Sequence, residues 1–440
     1  MKPSLSFFDS VSLMVGIIVG VGIFETTPDI AAQLPSISAV FGVWILGGLL
    51  SLCGALCYAE LAAAYPKNGG DYVYLSRAYG QWLGFLFAWG RVVVVQPGTI
   101  AAIAFPFAHF FIKTLELICG LTISESAVVP VAASGVLVLT VLNCFGLRVG
   151  ARTQNTLTVI KVAGLVLITI AAFFAPAANS SPALSESTLH GFGLAIILVM
   201  FTFGGWSDIA YVAAEVHNNV RNIPRIIILT VIVVGILYLF ANAGFFWALG
   251  YNGVASSETV AVDALKTVLP RFAQAMVGTL IAVSALGTIN ALVFTGARIS
   301  HAIGLDFLLF RSLAVESRTS GGPLVSLLFL GISSACIIVL MGSFERTVVY
   351  TTPVVWFFYF LSSLGLIVLR SKEKFAARPF LVPLYPVLPI CFAITSLYIF
   401  YSAVDYELLG SLISIGILLL GIPVYKVAVK VTTIKLPHQS

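Results

Sequence analysis

Charge is what this sequence has least of. Asp, Glu, Lys and Arg make up 9% of its 440 residues, against 59% hydrophobic residues. A soluble chain of this length needs far more charge to cover its surface, so a water-soluble globular protein is excluded. The apolar runs are much longer than barrel strands, which leaves helices as the membrane-crossing elements. Cysteine is sparse and scattered. Cys53 and Cys57 share a helix face but have no His or carboxylate beside them, which reads as packing rather than a metal site. Nothing demands disulfides. His109, His190, His217, His301 and His438 fall at segment ends or in loops and make no metal pair. No Gly-x-x-x-x-Gly-Lys-Ser/Thr motif is present, so ATP is not expected to drive the protein. The N-terminus lacks a signal peptide with a small-residue cleavage site, and the first apolar segment is expected to be a retained helix. The net charge of +5 comes from basic residues in short loops and does not indicate nucleic acid.

What is present is a series of twelve apolar segments, near 11–31, 38–63, 82–112, 128–147, 155–176, 191–215, 226–250, 273–303, 323–342, 348–369, 381–403 and 408–428. Each is long enough to cross a hydrocarbon core of about 30 Å. With the N-terminus inside, most basic residues fall on the cytoplasmic side, from Lys2, Lys67 and Arg77 through Arg298, Arg370 and Lys435. Only Lys113, Lys266, Arg271 and Arg346 fall outside. That asymmetry sets the orientation and supports an even count, with both termini cytoplasmic. Arg91 and Lys161 are left inside segments. The stretch 175–189, rich in Ala, Ser and Pro, reads as an external loop. Residues 67–80, with interspersed tyrosines, read as a short interfacial helix.

Within the first segment lies Gly16-Ile17-Ile18-Val19-Gly20-Val21-Gly22-Ile23-Phe24. Glycine suits a backbone that leaves helical dihedrals or approaches a ligand closely. In a membrane such a break is tolerated only where it lines a cavity or is buried in protein. The sixth segment carries a counterpart, Phe201-Thr202-Phe203-Gly204-Gly205-Trp206. Glycine pairs can also serve close helix packing. Two interruptions at matching places in two halves point instead to a secondary-transporter site. Segments 1–5 (residues 1–176) and 6–10 (residues 177–369) can form two repeats. Because five is odd, the second must be inverted. Segments 11 and 12 with the tail, residues 370–440, are additions.

These residues also resemble a known family. The glycine pattern at 16–24 looks like the first-helix signature of the amino acid–polyamine–organocation superfamily. Phe201–Trp206 looks like the sixth-helix signature of its L-type amino acid transporter branch. Ala214-Glu215-Val216 followed by Arg221-Asn222-Ile223-Pro224-Arg225 resembles the family's next loop, and Arg378-Pro379-Phe380 with Val382-Pro383-Leu384-Tyr385-Pro386 resembles its entry to the eleventh helix. The resemblance covers nearly the whole chain in order. It implies the all-helical leucine-transporter fold, with twelve transmembrane helices and the first and sixth broken at mid-membrane. It also implies amino acids or related amines as cargo.

An amino acid zwitterion needs donors for its carboxylate and acceptors for its ammonium, and a broken helix offers both at its cut ends. By resemblance, the amides of Gly20, Val21 and Gly22 would hold the carboxylate, and the carbonyls of Ile18, Phe201 and Gly204 the ammonium. Many relatives have Ser where this chain has Val21, so a hydroxyl contact is lost while the amide remains. Phe201 would be an aromatic lid. Thr202, Trp206, Ser207 and Asn290 would line the side-chain pocket, with Phe203 in the same motif. Asn290 resembles a polar break in the eighth helix of relatives. Lys161 sits inside an apolar run, where a lysine is costly and by default functional, although the cytoplasmic end is close enough for snorkelling. Sodium-independent members of the family carry a lysine here in the place of a sodium ion. In some of them its deprotonation is thought to couple transport to protons.

Arg91 could anchor to Glu60 or to helix-end carbonyls. Asp208 is either a pocket acid or the partner of a buried base. Glu215 is expected to organise the Arg221/Arg225 loop. The expectation is a sodium-independent secondary transporter of amino acids in the cell membrane, an exchanger or proton-coupled. Its partners would be its small-molecule cargo and the bilayer, with no nucleic acid and no cofactor, as a monomer or homodimer. Neutral cargo is favoured because the pocket residues are uncharged and a cationic side chain would be uncompensated in a dry site. The alternatives are a cationic amino acid or polyamine antiporter and a proton-translocating subunit of a membrane complex. The latter would need Lys/Glu pairs repeated along a row of helices, and Lys161 is nearly alone. An enzyme is not expected, because clustered acids, His or Ser–base pairs at membrane depth are almost absent.

Overall fold

The computed structural model describes residues 5–178, 189–317, 322–406 and 408–435. Most of the expected external loop at 175–189, together with Lys2, Arg318 and His438, lies outside them. Among the described residues every regular element is helical. A capping box between Ser6 and Asp9 opens α1 (Phe7–Ile18), satisfying amides that would otherwise be orphaned. Val19 leaves helical dihedrals, and the chain resumes as α2 (Gly22–Ala32) at 41° to α1. The side chain of Ser36 caps α3 (Ile37–Ala64). Short α4 (Asp71–Tyr79) precedes α5 (Gln81–Gly90), which runs through a five-residue π turn, Arg91–Val95, into α6 (Gln96–Cys119). Then come α7 (Val128–Cys144) and α8 (Leu147–Phe173).

Helix α9 (Leu189–Thr202) stops in mid-segment and continues as a 3-10 turn, Asp208–Glu215. The remainder is α10 (Asn219–Ala255), α11 (Val260–Lys266), α12 (Ala273–Asp306), α13 (Leu324–Met341), α14 (Phe344–Lys372), α15 (Val387–Tyr406) and α16 (Leu408–Lys435). Ten helices among the described residues are long and apolar enough to cross a membrane, eleven with the bent pair α1–α2. Of the twelve expected segments, the one at 191–215 holds only the shorter apolar helix Gly191–Thr202.

Helices α6 and α12 are buried along most of their length. Helices α7, α15 and α16 instead turn large apolar side chains outward, among them Val138, Ile394, Tyr401, Leu419 and Leu420. Such outward apolar faces suit lipid rather than water.

Three expectations are corrected by packing. Helix α12 runs unbroken through Asn290, so there is no polar break there. Helix α4 is not a free interfacial helix: Asp71 is fully buried and accepts from the hydroxyls of Tyr58, Tyr211 and Ser362. Glu215 does not organise Arg221 or Arg225. It forms a buried two-pronged pair with Arg298, at 3.0 and 3.2 Å. Beside it, Leu5 pairs with Val216 in a short parallel bridge, its amide donating to the Glu215 carbonyl at 2.9 Å.

Candidate functional site

The site grows from two interrupted helices. At the end of α1 the Gly20 amide turns back to the Ile18 carbonyl at 2.8 Å. Among the described residues, no acceptor takes the N–H groups of Val21, Gly22 or Ile23, which open α2. These are the free amides at the positive end of a helix. At the end of α9, Gly204 donates to the Phe201 carbonyl at 2.9 Å, and Gly205 takes φ +101, a conformation that favours glycine. No donor reaches the carbonyls of Ile17, Met200 or Gly204 among the described residues. The breaks touch each other. A Cβ on Gly22 would lie 2.9 Å from Thr202 Oγ1, and one on Gly205 would lie 2.2 Å from Ile17 Cγ2. The hydroxyls of Thr26 and Thr202 lie 3.0 Å apart.

Lys161 reaches this junction from α8. Its ammonium donates to the carbonyls of Gly16, Val19 and Ser284 at 2.7, 2.8 and 3.1 Å and lies 3.2 Å from Thr288 Oγ1. The residue is 1% exposed, so it does not snorkel. Its fourfold oxygen shell is the donor set a small cation would want, with the cation carried on a side chain. Gly287 on α12 leaves the room: a Cβ there would lie 3.0 Å from Lys161 Cε.

A cavity of about 140 Å³ opens against the breaks. Gly20, Val21, Gly22, Phe201, Thr202, Gly204 and Trp206 line it, with Ile17 and Ile18. Helix α14 adds Trp356 and Tyr359, and α12 adds Thr288. The Trp206 and Tyr359 rings stack with centroids 5.3 Å apart. The π turn brings Arg91 to the wall, where its Nη2 donates to Asp208 Oδ1 at 2.8 Å. Arg91 therefore does not pair with Glu60, which is held by Arg370 at 2.8 Å and accepts from the Val382 amide.

Not every expected residue meets the cavity. Phe203 packs away from it, between Trp44 and Tyr238, with ring centroids at 6.1 and 5.2 Å. Ser207 is buried, its hydroxyl 3.0 Å from that of Tyr359. Asn290 belongs to a separate buried network, where it accepts from Asn143 at 2.8 Å and donates to Gln154 at 2.9 Å. The Ile18 carbonyl already accepts from Gly20 and from Tyr238, and the Gly20 amide is spent on it. The Phe201 carbonyl, also expected to take the ammonium, is likewise spent on Gly204, so among the described residues Val21, Gly22 and Ile23 are the free donors and Ile17, Met200 and Gly204 the free acceptors. Tyr238, Ser284 and Thr288 went unread in the sequence. Their only signal was a hydroxyl in an apolar segment, which is common in membrane helices.

A helical membrane permease with a cavity at two helix interruptions is the class that this fold defines. The chain belongs to the amino acid permease family, whose profile matches residues 5–421. It is 30% identical over 435 residues to the large neutral amino acids transporter small subunit 2 of Homo sapiens, covering 97% of this chain and 80% of that protein. It is 28% identical over 416 residues to the b(0,+)-type amino acid transporter 1 of Mus musculus, covering 92% and 84%. Both relatives are amino acid transporters by name. Amino acid transport across a membrane is the activity they have in common with this family.

Proposed function

We propose that this chain moves neutral amino acids across the cell membrane by alternating access, without sodium. The observation that carries the reading is Lys161. Its ammonium already satisfies the Gly16 and Val19 carbonyls where α1 ends, together with the Ser284 carbonyl on α12. A bound metal cation would have to displace it. The free amides at Val21–Ile23 fit a carboxylate, and the open carbonyls of Ile17, Met200 and Gly204 fit an ammonium. Neutral cargo is favoured because Arg91 already pairs Asp208, the acid on the cavity wall. A cationic side chain would then be an uncompensated charge.

Two inverted five-segment repeats, residues 1–176 and 177–369, account for the matching interruptions, with both termini on the cytoplasmic side. The protein is read as a carrier and not an enzyme. Uptake of labelled leucine into proteoliposomes, with external sodium replaced by choline, tests the reading. The rate should not change. A steep sodium dependence would overturn it. Loading the vesicles with unlabelled substrate, or imposing a pH gradient, separates exchange from proton coupling.

A further inference from the structure

The Arg91–Asp208 pair on the cavity wall leaves polar atoms without a partner among the described residues. Arginine and carboxylate usually meet as a two-pronged fork, as Arg298 and Glu215 do here. Arg91 instead makes one bond, Nη2 to Asp208 Oδ1 at 2.8 Å. It is 8% exposed, yet its Nε is buried without an acceptor, and none takes Nη1 among the described residues. Asp208 Oδ2 likewise receives no donor among them. The neighbouring acid cannot complete the set, because Asp71 is engaged by Tyr58, Tyr211 and Ser362. The Tyr211 ring backs the guanidinium at 5.0 Å, which holds it in place without using a donor. Among the described residues the wall therefore carries an unused donor, Arg91 Nη1, and an unused acceptor, Asp208 Oδ2, held together by one ion pair.

We propose that Arg91 and Asp208 select a carboxamide side chain, so that glutamine and asparagine are the preferred cargo. This rests on the reading above that the cavity takes a neutral amino acid. A carboxamide offers a carbonyl oxygen and an N–H2 group in one plane. The oxygen accepts from Arg91 while the N–H2 donates to Asp208. An apolar side chain of the same size leaves both groups dry and unpaired, and sites built around polar groups reject such analogues strongly. A basic side chain would satisfy Asp208 but face the guanidinium. An acidic one would do the reverse.

The test is competition in proteoliposomes containing the full chain. Uptake of labelled glutamine, with labelled leucine in parallel, is challenged with glutamine, asparagine, methionine, arginine and glutamate. Methionine is the apolar match to glutamine in length. Glutamine is expected to inhibit at a concentration at least about tenfold lower than methionine. Arginine and glutamate should be weaker than either. Methionine matching or surpassing glutamine overturns the inference and leaves the neutral-carrier reading standing. Absence of any amino acid uptake overturns that reading instead. The second arm replaces both charges, with Arg91→Met and Asp208→Leu together. The ratio of glutamine to methionine potency, read within the variant, should fall towards one. A purely structural pair would depress all uptake and leave that ratio unchanged, which overturns the inference. Should the double variant fail to fold, the wild-type competition decides alone.

Discussion

The hydroxyl of Tyr238 donates to the carbonyl of Ile18 at 2.7 Å, at the point where the first helix stops. The same oxygen lies 3.1 Å from the Thr202 carbonyl, at the end of α9. One side chain from α10 thus clamps both interruptions. Tyr238→Phe keeps the ring against Trp44 and Phe203 but releases both carbonyls. The expected stability loss is about 1–2 kcal/mol, read as a lower thermal midpoint in detergent. The KM for substrate should rise, because the two cut ends no longer hold a common position. An unchanged KM would show that the clamp is not needed.

Lys161→Met removes the ammonium from the Gly16, Val19 and Ser284 carbonyls, which keep the hydroxyls of Ser284 and Thr288 beside them. Transport should fall at least about a hundredfold, a loss of roughly 3 kcal/mol in the rate-determining step. The amount of folded protein, read by size-exclusion profile, should fall far less. Full activity in this variant would mean that Lys161 serves only to hold the junction together.

How much of this could be read in advance depended on distance along the chain. Lys161 was legible because one charge in an apolar run stands out wherever it points. The glycine interruptions were legible because flexibility is written locally. The pairing of Arg91 with Asp208 was not, since it joins residues 117 apart through the packing of helices whose rotation no local pattern sets. Asn290 was misplaced for the same reason. A lone amide among small residues looks alike whether it faces a cavity or, as here, Asn143 and Gln154 on neighbouring helices.

Gly205→Ala should abolish uptake. The position combines φ +101 with a Cβ clash against Ile17 Cγ2 at 2.2 Å, so the substituted chain must push the two breaks apart. The backbone strain alone is about 1–3 kcal/mol. Gly42→Ala is the matching control, because nothing lies within 4 Å of the Cβ it would add. Equal uptake by both variants would mean that the breaks need not touch.

Removing one partner of the Arg298–Glu215 pair should be worse than removing both. Arg298→Met strands a carboxylate that is 1% exposed, at a cost of roughly 3–5 kcal/mol. Adding Glu215→Leu should restore a large part of the lost thermal stability. A double variant no more stable than Arg298→Met alone would mean that the arginine contributes mainly through its bond to the Phe294 carbonyl.

The π turn at Arg91–Val95 should let this segment lose one residue without disturbing its neighbours. A wide turn of this kind stores about one residue more than a regular α-helix needs. Loss of a single codon between Val92 and Val95 would therefore be absorbed as a regular helix rather than shifting everything downstream. The cost would fall at one place. The flanking helices would keep their places, and Arg91, the first residue of the turn, would lose the local geometry that brings it to Asp208. A one-codon indel there is a short route by which a lineage could change what its cavity wall recognises while keeping the scaffold intact.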